Sequence, residues 1–212
     1  RVLPNIGGFV GADTVGCLLA VGWERLEKLT LLIDIGTNGE IVLGTKDRMI
    51  ACSTAAGPAF EGAKIQCGMR GAPGAVDHVT WAPDGGLTWS VIGDQGVKGI
   101  CGSGLIDLVA ALRHTGAVDE SGRLTGGTDF RVGDTPVVLT QRDVREVQLA
   151  KGAISAGIRL LAQRLGVTLE DIQQVYIAGA FGSYMDPDSA CDIGLIPAQL
   201  RGKILAVGNA AG

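Results

Sequence analysis

The sequence predicts a mixed α/β fold, and two stretches carry that expectation. An apolar run, Leu31-Leu32-Ile33-Asp34-Ile35, breaks at Gly36-Thr37-Asn38-Gly39-Glu40 and resumes as Ile41-Val42-Leu43-Gly44. This reads as two paired strands around a tight loop. Further along, Asp143 to Leu165 has helical periodicity, followed by strand-like Val175 to Ala178 and Lys203 to Val207. Helices alternating with strands after an opening antiparallel meander give a mixed sheet.

Taken in order, the chain opens with a loop at Leu3 to Gly8, marked by Pro4, Gly7 and Gly8. Ala12 to Val21 lacks strand alternation and fits a helix of small residues packed closely against something. The two strands follow, and Met49 to Thr54 makes a third in the meander. Ala56-Gly57-Pro58-Ala59-Phe60-Glu61-Gly62 is a Gly-Pro turn leading towards a helix or another loop. As a helix start it would aim N–H groups at a ligand.

From about Gly68 to Gly99 the chain is rich in Gly and Pro, with short alternating pieces around Trp81 and Trp89. That pattern predicts a β-rich insertion in which the two tryptophans pack. Cys101-Gly102-Ser103-Gly104 then precedes an apolar helix, Leu105 to Arg113, with Ser103 as the expected N-cap. Asp119 to Asp134 reads as a surface hairpin. The long helix places Val144, Val147, Ala150, Ile154, Ile158 and Leu161 on one face and stops at Gly166. A short turn opens at Thr168, and Asp186-Pro187-Asp188 caps a last short helix.

With 212 residues, the chain is expected to form one α/β half-domain over 1–212, carrying an inserted lobe at about 63–139. Its core is aliphatic and alanine-rich, because 46% of residues are hydrophobic but only 4% aromatic. A net charge of −4 without a basic stripe argues against nucleic acid or an anionic membrane as main partner. The five cysteines are dispersed, without a Cys-x-x-Cys, as expected of reduced thiols in the cytoplasm. No apolar run reaches membrane-spanning length. A chain starting at Arg1 and stopping in a Gly/Ala run at Gly212 is expected to be a fragment of something larger.

The loop after β-like Leu31 to Ile35 has the chemistry of a phosphate grip. Gly36 and Gly39 allow close backbone approach, consecutive N–H groups form an anion nest, and Thr37 and Asn38 add donors. Asp34, at the end of the strand, is the candidate catalytic residue and would hold the water shell of Mg2+. An ordinary hairpin with a polar turn explains the same residues. Gly179-Ala180-Phe181-Gly182 is a second Gly-rich turn after a strand, and Gly208 to Gly212 a third. Ligands of open α/β sheets sit beyond strand carboxyl ends, where such turns converge. Gln148, Lys151 and Ser155 share one helix face and either line a ribose and base or form an exposed polar stripe. Phe181 either floors an adenine or fills the junction.

Other features read as structural. Cys101-Gly102-Ser103-Gly104 lacks a nucleophile elbow, so capping is the better reading. His78 and His114 each stand alone in sequence, and the cysteines read as small core residues.

Asp34 to Glu40 and Tyr176 to Gly182, in this order with a long helix before the second, resemble the second phosphate motif and the adenosine motif of the actin, sugar-kinase and heat-shock-chaperone ATPases. The resemblance implies a ribonuclease-H-like (actin-type ATPase) half. It places Gly57 at the turn towards the nucleotide and Gln148, Lys151 and Ser155 beside the adenosine. Asn38 departs from the pattern, where many members have glycine. More specifically, the chain resembles the C-terminal domain of the reductive activators of corrinoid enzymes. Gly11 to Thr14, Ile33 to Glu40, Ala56 to Gly62, Cys101 to Gly104, Gln148 to Ala153 and Ala178 to Gly182 carry this likeness, together spanning nearly the whole chain.

That likeness implies a protein that uses ATP and Mg2+ to return Co(II) corrinoid to Co(I). A 2Fe-2S domain and the other ATPase half would lie upstream. It also implies a corrinoid protein or corrinoid methyltransferase as partner, and a homodimer. Two alternatives use the same residues. One is the ATPase activator of a radical acyl-CoA dehydratase or half of a small-molecule kinase. The other is a non-catalytic docking domain whose loop grips no phosphate.

Overall fold

The computed structural model describes residues 3–82, 85–179, 184–208 and 210. Helix α1 (Ala12–Ala20) leads into strands β1 (Thr30–Ile35), β2 (Gly39–Gly44) and β3 (Met49–Thr54), which pair antiparallel. The meander forms because β1 and β2 are short runs of Leu, Ile and Val joined by a polar turn, and β3 returns along β2 after the polar turn at 45–48. After a 3₁₀ turn at Pro58–Glu61 come β4 (Ala75–Trp81), β5 (Leu87–Val91) and the two-residue β6 (Gly99–Ile100), which form a separate three-stranded sheet in the order β5-β4-β6. Helix α2 (Gly102–His114), β7 (Asp129–Arg131), β8 (Val138–Thr140) and helix α3 (Gln141–Leu165) follow. The chain then returns through β9 (Gln174–Ala178), α4 (Pro187–Asp192) and β10 (Ile204–Gly208).

The central sheet has the order β10-β9-β1-β2-β3, with β9 parallel to both β1 and β10. It is therefore mixed, as the sequence predicts. Period-two alternation divides its faces. Leu31, Ile33, Ile35, Ile41 and Leu43 join Val144, Val147, Ala150, Ile154, Ile158 and Leu161 of α3 in the main core. Leu32, Val42 and Ala178 turn the other way and pack with Cys17, Leu18 and Trp23 from α1 and its following turn. Among the described residues no helix is long and apolar enough to cross a membrane.

Helix α3 has a strong start. Thr140 and Asp143 form a reciprocal capping box, and the other oxygen of Asp143 accepts the Gln66 N–H at 2.9 Å. Asp143 is buried, so this one side chain ties the segment after the 3₁₀ turn to the long helix.

Three sequence expectations are corrected. Ser103 is not the N-cap of α2: Cys101 is, without a side-chain cap bond, and Ser103 is buried inside the first turn. A Cβ on Gly102 would lie 2.1 Å from the Phe60 carbonyl oxygen, and the helix begins at this close approach, three residues before the expected Leu105. The hairpin expected at Asp119 to Asp134 instead pairs β7 with β8. The residues before it form a turn in which Asp119 Oδ1 collects Ser121 and Arg123 N–H groups. Finally, Trp89 packs over Gly133 while Trp81 lies 41% exposed, so the two do not form one buried pair.

Candidate functional site

Strands β1 and β9 run parallel with Asp34 opposite Ala178, so both present their carboxyl ends at one edge of the sheet. Ligands of open α/β sheets bind at such an edge. The β1–β2 register pairs Ile35 with Gly39 and leaves Gly36, Thr37 and Asn38 as the loop. The Gly36 N–H is used within the loop, donating to the Asn38 carbonyl at 2.9 Å. The amides of Thr37 and Asn38 donate to no acceptor among the described residues. The Thr37 hydroxyl donates to the Glu61 carboxylate and pins the loop to the 3₁₀ turn that Gly57 opens.

Gly179 closes the corner. Its φ of +105° suits glycine, and a Cβ there would lie 2.5 Å from the Ile35 carbonyl oxygen and 3.2 Å from Asp34 Oδ1. Asp34, Gly36 and Gly179 thus share one wall of a cavity of about 920 Å3. The rest of the lining includes Phe60 and Glu61, Cys101 to Ser103 at the start of α2, Tyr184, Arg70 and Asp77.

Burial pushes the Asp34 carboxyl above its ordinary range; a hydrogen bond from Cys17 works against this and the nearby Asp13 charge adds to it. Cys17 Sγ donates to Asp34 Oδ2 at 3.4 Å. Its thiol is pushed up to about 12, first by burial and then by the Asp34 charge, so it stays a neutral donor. Glu40, the cross-strand neighbour of Asp34, is also raised by burial and accepts from the Ser53 hydroxyl at 3.0 Å.

No cluster of three or more His, Cys, Asp or Glu side chains able to hold a metal exists among the described residues. The donor set fits Mg2+ rather than zinc: Asp34, Glu61 and Asp77 line the cavity and no histidine does.

The other expected residues lie apart. Gln148 Nε2 donates to the Ser121 carbonyl at 2.9 Å, and Lys151 Nζ to the Ile193 carbonyl at 2.5 Å. Both line a smaller recess of about 250 Å3 beside Arg113, not the cavity at Asp34. Burial, with Arg113 nearby, lowers the Lys151 ammonium pKa. Ser155 is half-buried on the same helix. Ala180, Phe181 and Gly182 lie outside the described residues. The sequence reading passed over Cys17, Glu61, Arg70, Asp77 and Tyr184 as site residues. Of these, only Glu61 lies in a stretch singled out for its chemistry, the Gly-Pro turn. Both histidines acquire partners from distant elements: His78 Nδ1 lies 3.0 Å from Asp107 and His114 Nε2 lies 2.8 Å from Asp192.

A mixed sheet that opens with an Asp-bearing hairpin and closes on a glycine corner defines an actin-type, ribonuclease-H-like ATPase domain. Residues 28–212 match the family described as the C-terminal domain of RACo, the ASKHA domain, and the chain belongs to that family. It is 40% identical to the corrinoid activation enzyme RamQ of Eubacterium limosum, over 99% of this chain and 39% of that protein. It is 30% identical to the Co(II) methylated amine-specific corrinoid protein reductase of Methanosarcina barkeri, over 98% of this chain and 42% of that one. A solved reductive activator for corrinoid, iron-sulfur protein superposes with a TM-score of 0.89 at 37% identity, covering 99% of this chain and 36% of the other. The chain therefore spans about two fifths of the curated relatives it matches.

Proposed function

We propose that this chain is the nucleotide-binding half of an ATP-dependent reductive activator that returns Co(II) corrinoid proteins to Co(I). The observation that carries the reading is the corner where Gly179 abuts Asp34 beside a loop with two amides that have no acceptor among the described residues. Those two amides would receive phosphate oxygens, and Asp34 would hold Mg2+ through its water shell. Bound Mg2+ would neutralise phosphate charge. Cys17 fixes the carboxylate on the opposite side, leaving Oδ1 towards the corner. Phe60 and Val91 give the cavity apolar wall area on which a nucleoside can rest.

Phosphoryl transfer depends on charge stabilisation from both walls of a cleft. In this reading the second wall is the other ATPase half, which this chain does not contain. The electron for Co(II) comes from a 2Fe-2S domain that is also outside it. ATP contributes by favouring one of two arrangements of the activator against its corrinoid partner, and so needs a different affinity for each. The activator works in the cytoplasm, as a homodimer.

The test is calorimetric titration of the full-length activator with MgATP, alone and with its Co(II) corrinoid protein. Affinity should change severalfold when the partner is present, and equal affinities would overturn the coupling.

A further inference from the structure

We infer that Arg70 is a specificity-determining residue of this cavity, donating to the phosphate oxygens on the side away from Asp34. The inference rests on the nucleotide reading above and adds a residue which that reading does not use. Three carboxylates line the cavity, and each already has a donor: Asp34 accepts from Cys17, Glu61 from Thr37, and Asp77 from the Ser90 hydroxyl at 2.7 Å. Arg70 is the one Lys or Arg in the described lining, and it makes no ion pair or hydrogen bond among the described residues. Its five N–H donors are therefore available to a ligand.

The position of Arg70 is set by backbone. The adjacent Met69 N–H donates to the Ile100 carbonyl at 2.9 Å, and Gly68 bridges to the same residue. Ile100 belongs to β6 and leads directly into Cys101 to Ser103, which line the same cavity. The backbone beside Arg70 is thus fixed to the strand that leads into the α2 start, and its exposed side chain lines the same cavity as Asp34. A cavity with three carboxylates repels an anion unless cations accompany it. Mg2+ at Asp34 supplies one counter-charge and Arg70 the other. The planar fork of arginine matches a phosphate bidentately, which a lysine does not. The ligand class this geometry favours is a nucleoside polyphosphate over a nucleoside.

The experiment is calorimetric titration of the full-length protein with MgATP and with adenosine, for the native residue, Arg70→Ala and Arg70→Lys. Losing one charge-assisted phosphate contact weakens MgATP binding about tenfold in Arg70→Ala. Adenosine affinity and melting temperature should stay unchanged, and Arg70→Lys should recover only part of the loss. Equal MgATP affinity in the native protein and Arg70→Ala would overturn the inference while leaving the site reading intact. No MgATP binding by the native protein would overturn both.

Discussion

Gly179 rests against the carboxylate of Asp34, so closely that a Cβ would stand 3.2 Å from Oδ1 and 2.5 Å from the neighbouring Ile35 carbonyl oxygen. This contact joins the first strand of the sheet to a residue 145 positions later and brings the end of β1 and Gly179 to one corner. Parallel pairing of β1 with β9 makes it unavoidable.

Gly179→Ala should therefore damage both stability and binding. A side chain at φ +105° costs about 1–3 kcal/mol in backbone strain before the clash is counted. Urea unfolding should show a stability loss of at least that much, and MgATP affinity of the full-length protein should fall with it.

Asp34→Asn should stabilise the fold at neutral pH. Burial raises the Asp34 carboxyl above 3.8, so the native state holds its proton more tightly than the unfolded chain. Stability from this group is fully present below pH 3.8 and is lost as pH rises through the higher folded value. Above that folded value the wild type carries the penalty and the asparagine variant carries none. Melting curves from pH 3 to 8 should show the wild-type transition falling below that of Asp34→Asn as pH rises, and convergence at the acid end.

Cys17 should resist alkylation in the native protein. With its thiol at about 12 against an ordinary 9.0, the thiolate fraction at pH 8 is smaller by on the order of a thousandfold. Mass spectrometry after iodoacetamide should find Cys17 unmodified when folded and modified in denaturant. The same shift keeps this thiol's stability contribution intact below pH 9.0 and removes it as pH rises towards 12.

Asp143→Ala should cost about 2–4 kcal/mol, because it removes a helix cap and orphans a buried amide at once. Its two oxygens serve Thr140 and Gln66. Thr140→Ala, which leaves the Gln66 bond in place, should cost about 1 kcal/mol. Chemical denaturation separates the two.

The parts legible in sequence were those set by local rules. The meander, the β9 strand and the buried face of α3 each announce themselves by period and by a terminating glycine. What stayed hidden depends on distant neighbours. Helical spacing put Gln148, Lys151 and Ser155 on one face but could not say that Lys151 would reach the Ile193 carbonyl. Ser103 looked like a cap because nothing in sequence shows Gly102 meeting the Phe60 carbonyl. His78 seemed alone because its partner, Asp107, comes from α2. Arg70 sits in a glycine-rich stretch with no motif, and only the fold brings it to the cavity that Asp34 lines.

The most direct measurement is MgATP binding to the full-length protein with and without Asp34→Asn, each in magnesium and in EDTA. The account predicts that the wild type binds ATP more tightly with magnesium, and that the variant loses this advantage by about tenfold or more. An Asp34→Asn protein with the same magnesium-dependent affinity as wild type would contradict it.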